Sequence, residues 1–142
     1  MKHRISWMVV LTLLVALCGT ALAQKQRINT YHKSLQKKLE AMVADGQKCK
    51  VNMNDSEDGK GMDAEIRLTM GIKEFEAFAP VAALEAAGLP HKFPAVNIYL
   101  RHEGTGRVGR INFRDAEPLA AQYKAGERQK ATAEMADSIT WH

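Results

Sequence analysis

The chain has 142 residues, 20 of them Lys or Arg and 16 Asp or Glu, for a formal charge of +4. That length suits one domain, and so mild a basic excess argues against nucleic acid as the main partner. With 2 cysteines, the chain is not a disulfide scaffold.

Lys2 and Arg4 precede an apolar run from Ile5 to Leu17, and Ala21-Leu22-Ala23 follows. A charged start, a short apolar stretch and small residues at the end are the parts of a secretory leader. The run of about thirteen residues is short of the roughly twenty that a membrane-spanning helix needs. The sequence therefore predicts a signal peptide over residues 1–23, cleavage near Ala23-Gln24, and a single mature domain over 24–142 in the periplasm or outside the cell. Lipid attachment at Cys18 is disfavoured, because Leu17 stands where a small residue is expected. Cleavage removes Lys2 and Arg4, two of the 20 basic residues and none of the 16 acidic ones, so the mature charge is +2. It also removes Cys18, which leaves Cys49 with no partner for an internal disulfide.

Ile28, Tyr31, Leu35, Leu39, Met42 and Val43 recur at steps of three and four and predict an amphipathic helix that stops near Asp45-Gly46. Period-two alternation follows in Cys49, Val51 and Met53, then in Ala64, Ile66, Leu68, Met70 and Ile72, so two half-buried strands are expected. That parity buries Cys49 as an inert thiol. Residues 73–87 are rich in Ala, Leu and Glu and predict a helix that Pro80 should kink or split.

Alternation returns at Val96, Ile98 and Leu100, then at Ile111 and Phe113, with Glu103-Gly104-Thr105-Gly106 as the turn between. A final helix is expected over 116–135 with Asp115 as its cap, and residues from about 136 to 142 should fray or dock through Trp141. The expected fold is α+β: helix, two strands, helix, two strands, helix, with a mostly antiparallel four-stranded sheet and the helices packed on one face.

Two patterns carry chemistry. The loop from Asn54 to Glu65 places Asn54, Ser56, Asp58, Gly59 and Glu65 at positions one, three, five, six and twelve of a calcium loop, where a hard cation needs oxygens and a sharp turn needs glycine. Asn54 in place of an aspartate, Gly61 in place of an aliphatic residue, and flanking strands instead of helices all favour plain turn chemistry for the same residues.

The second pattern is the polar parity of the sheet. If Cys49, Ile66, Ile98 and Ile111 face the helices, the other face shows Lys48, Lys50, Arg67, Tyr99, Arg101, Arg110, Asn112 and Arg114, with Glu65 almost the only acid. Such residues also serve simply to keep a sheet face solvated. As a functional surface, Lys50, Arg67, Tyr99, Arg101, Arg110 and Arg114 would dock an acidic protein or an anionic envelope component.

Catalytic constellations are scarce. His32, His91, His102 and His142 stand far apart, and no Cys or carboxylate set completes a zinc site. Ser34, Ser56 and Ser138 lack the glycines of a nucleophile elbow. The sequence thus points to a small exported binding protein without a cofactor. A calcium module in the 54–65 loop and a small envelope hydrolase with residues converging from afar are the competing classes.

Overall fold

The computed structural model describes the backbone of residues 2–142 and the side chains of residues 15, 16 and 18–142. The charged start of the expected leader and most of its apolar run therefore lie outside the described side chains. Helix α1 (Lys2–Glu40) runs through the expected cleavage site without a break. Val15 and Leu22 are exposed at 67% and 69%, and among the described residues the first buried side chain is Tyr31, followed by Leu35 and Leu39 on the same stripe. Among the described residues, no helix is long and apolar enough to cross a membrane. Lys37 and Lys38 occupy the last turn of α1, where the helix dipole favours cations. Gly46, at φ 84°, takes the left-handed conformation that turns the chain into the sheet.

Strands β1 (Lys48–Asp55) and β2 (Met62–Thr69) pair antiparallel, with Val51 opposite Ile66 and Asn52 opposite Glu65. Helix α2 (Ile72–Gly88) is continuous through Pro80 and is not split into two short helices there. An interior proline costs a helix about 3 kcal/mol. The packing of α2 offsets that cost, since Pro80 is buried together with Ala79, Ala82, Ala83 and Leu84. These small residues let α1, α3, α4 and the sheet all approach α2.

Strand β3 (Ala95–His102) then pairs with β2 in the parallel sense, because α2 carries the chain back along the sheet before β3 begins. Strand β4 (Val108–Asn112) returns antiparallel to β3. The expected strand does not include Phe113 and Arg114. Asn112 caps helix α3 (Phe113–Lys124) by accepting a hydrogen bond from the Arg114 amide at 2.9 Å, so the chain turns helical two residues after Ile111. Gly126, at φ 102°, separates α3 from α4 (Arg128–Ser138), which divides the single expected helix in two.

The chain closes with β5 (Thr140–Trp141), antiparallel to β4. A side chain on Gly109 would lie 2.6 Å from Ile139 and 2.7 Å from the Trp141 ring, so this close approach requires glycine. The α+β reading holds, but the sheet has five strands in the order β1-β2-β3-β4-β5 and is mixed, with one parallel pairing at its centre. Its core face buries Val51, Ile66, Leu68, Ile98, Leu100 and Ile111 against the helices.

Candidate functional site

Alternation that buries Ile66, Ile98 and Ile111 turns the intervening residues toward the opposite face, and pairing sets them in rows. Lys50, Arg67 and Arg101 form one row; Asn52, Glu65, Tyr99, Arg110 and Thr140 form the next. Glu65 sits between two cations. Its Oε1 accepts from Arg101 Nε at 2.9 Å and from Arg67 Nε at 3.2 Å, and Arg67 also lies 3.8 Å from Glu103. Burial alone would raise the Glu65 pKa, but the hydrogen bonds from Arg101 and Arg67 and their positive charges hold it below the ordinary value. Two of the expected free cations are thus already compensated. Lys50 and Arg110 form no ion pair among the described residues.

Arg114 does not share this face. It lies in the first turn of α3, beside a polar groove that Lys60, Asp115 and Glu117 also line. The expected basic surface is therefore smaller by one residue and less charged than its composition suggests.

At one corner of the open face, the loop between β1 and β2 walls a cleft of about 320 Å³ lined by Asp63, Val96, Asn97, Tyr99, Arg110 and Asn112, among others. Asp63 and Asn97 are buried there. Asp63 Oδ1 accepts from the Asn97 backbone amide at 3.1 Å and from Asn97 Nδ2 at 3.2 Å. The oriented Asn97 amide then accepts from Arg110 Nε through its own Oδ1 at 3.2 Å. Desolvation pushes the Tyr99 pKa up; the Asp63 carboxylate adds to this and Arg110 opposes it. Sequence alternation indicated Tyr99 and Arg110 but missed Asp63 and Asn97, because their meeting requires β2 and β3 to lie side by side.

The proposed calcium ligands hydrogen-bond as two pairs. Ser56 Oγ donates to Asp58 Oδ1 at 2.6 Å, while the Lys60 and Gly61 amides donate to Asp58 Oδ1 and Ser56 Oγ at 3.0 Å each. These contacts, the Ser56 hydroxyl first, hold the Asp58 carboxyl below its ordinary range. Asn54 Nδ2 donates to Glu65 Oε2 at 3.4 Å, so the amide turns its nitrogen, not its oxygen, toward the carboxylate. Among the described residues no three His, Cys, Asp or Glu side chains gather as a metal site. The bonding pattern is that of a tightly wired hairpin loop.

Two further side chains depart from their apparent surface roles. His102 is buried against Phe75, donates from Nε2 to the Met70 carbonyl at 2.7 Å, and accepts at Nδ1 from the Thr105 amide at 3.1 Å. It ties the β3–β4 turn to the start of α2. Glu85 is buried between α1 and α2, where it pairs with Lys38 at 2.6 Å. No protein-family model matches the chain, and neither a curated protein nor a solved structure matches it.

Proposed function

We propose that this chain is exported, is cleaved near Ala23-Gln24, and acts in the periplasm or outside the cell as a non-catalytic binding protein. Its uncovered sheet face docks an acidic protein through Lys50, Arg67, Tyr99, Arg101 and Arg110. The supporting observation is that this face lies opposite the buried parity of the sheet and keeps Tyr99 half-buried between cross-strand neighbours Glu65 and Arg110. A rigid aromatic among cations is a good anchor for a carboxylate-rich surface. Among the described residues Lys50 and Arg110 form no ion pair, and Arg67 and Arg101 supply donors that Glu65 holds in place.

The reading is tested with the mature domain, an oligoglutamate peptide and vesicles containing anionic phospholipid. Binding of the peptide that weakens as salt rises, and that falls in Lys50→Glu and Arg110→Glu, supports an acidic protein partner. Binding to the vesicles with no affinity for the peptide moves the assignment to an envelope lipid. If neither probe binds, or if both charge reversals bind as wild type does, the face is a solvated surface and the proposal fails.

A further inference from the structure

The corner cleft holds an acid and a cation that do not touch. Asp63 is 6% exposed, yet only its Oδ1 takes hydrogen bonds, both from Asn97. Arg110 is anchored through Nε alone, to the oxygen of that same amide. Among the described residues neither Asp63 Oδ2 nor the terminal guanidinium nitrogens of Arg110 have a partner, although both residues line the cleft. The Asn97 side chain stands between the two charges and orients each of them. Opposite charges held one amide apart in a partly desolvated corner attract a ligand more strongly than they would in water.

A simple anion drawn to Arg110 would meet Asp63 and the neighbouring Glu57 and Asp58. A simple cation drawn to Asp63 would meet Arg110. A ligand that carries an ammonium and a carboxylate on one carbon satisfies both groups at once. We propose that this cleft binds a free α-amino acid as its zwitterion, with the carboxylate on the Arg110 guanidinium, the ammonium on Asp63 Oδ2, and the side chain against Tyr99 and Val96. Arginine matches a carboxylate bidentately through the two nitrogens it has free. The volume of about 320 Å³ lies at the small end of ligand sites and is large enough for one amino acid. Tyr99 offers a flat apolar wall with a hydroxyl at its tip, and the Tyr99 hydroxyl itself responds to both Asp63 and Arg110.

This inference does not rest on the docking proposal, and Lys50→Glu separates the two: it should impair docking and leave amino-acid binding unchanged. The test begins with thermal melts of the full chain against the standard amino acids in L and D form. At least one should raise the melting temperature and give saturable heat in calorimetry. The amide of that amino acid, which lacks the carboxylate, and its N-acetyl form, which lacks the ammonium, should each bind more weakly by about tenfold or more.

Arg110 is exposed, so Arg110→Gln should fold normally. It should bind the amino acid and its amide equally, because the group that tells them apart has gone. Asp63→Asn should likewise lose the preference for the free ammonium over the N-acetyl form; if it fails to fold, the Arg110→Gln comparison still decides. A melt that no amino acid shifts at millimolar concentration overturns the proposal, as does an amide that binds wild type as tightly as the free acid.

Discussion

Gln36 pairs with Val51 as a neighbouring strand would. The Val51 amide donates to Gln36 Oε1 at 2.5 Å, and Gln36 Nε2 donates to the Cys49 carbonyl at 2.6 Å. His32 completes the cover by donating from Nε2 to the Val51 carbonyl at 2.6 Å. β1 is an edge strand, and an uncovered edge is a template for pairing with other chains. Helix α1 blocks that edge with side chains.

Gln36→Leu should therefore cost about 1 to 3 kcal/mol, since it strands one backbone donor and one acceptor that are shielded from water. Denaturant unfolding measures the loss, and light scattering should show faster self-association than in wild type. Unchanged stability and scattering would mean that water replaces the amide without penalty.

The Glu65 cluster predicts an acid response with a definite sign. Its folded-state pKa lies below the ordinary 4.5. The unfolded chain thus takes up the proton first, and the stability Glu65 contributes is present above about 4.5 and lost as pH falls below it. Glu65→Gln should flatten the wild-type decline in that range. Arg101→Glu, which sets a second carboxylate against Glu65, should cost about 1 to 3 kcal/mol. Lys50→Glu, on an exposed side chain, should change stability by less than about 0.5 kcal/mol. An Arg101→Glu protein as stable as wild type would show that Glu65 and Arg101 do not pair.

Cys49 is 6% exposed, and burial, helped by the charge of Glu40, pushes its thiol from 9.0 up to about 11. Its stabilising contribution is complete below about 9 and disappears as pH rises from there through about 11. Cys49→Ala should remove that part of the alkaline destabilisation while costing roughly 1 kcal/mol at neutral pH through the small cavity it leaves. Labelling of the native thiol should be slow. Fast labelling would place Cys49 at an accessible surface.

Loss of residues 1–23 should leave the fold intact, because Val15 and Leu22 contact solvent and the core begins at Tyr31. Protein recovered from the cell envelope should have the intact mass of a chain that starts at Gln24, and residues 24–142 should unfold at the same temperature as the full-length chain. A lipid adduct on Cys18 would replace this picture with an anchored protein.

Alternation in the sequence determined which side of each main strand is buried. A strand with one covered face has a single acceptable parity, so Ile66, Leu68, Ile98 and Leu100 announced the core and, by exclusion, Arg67, Tyr99 and Arg101 announced the open face. Helical spacing likewise marked Tyr31, Leu35 and Leu39. These are local properties of the chain, each legible within a few residues.

Pairing was decided elsewhere. Nothing near Asp63 or Asn97 indicates that α2 brings β3 alongside β2 in the parallel sense, yet that juxtaposition builds the Asp63–Asn97–Arg110 chain and lets Glu65 reach Arg101. Gln36 and His102 read as ordinary polar residues until the partners they serve, Val51 and Met70, arrive from other elements. β5 is two residues long, too short to show a period, and Phe113 kept strand parity while Asn112 had already begun a helix. Periodicity reports what a segment must bury; which carboxylate meets which guanidinium depends on strand order, and strand order is set by packing across the whole domain.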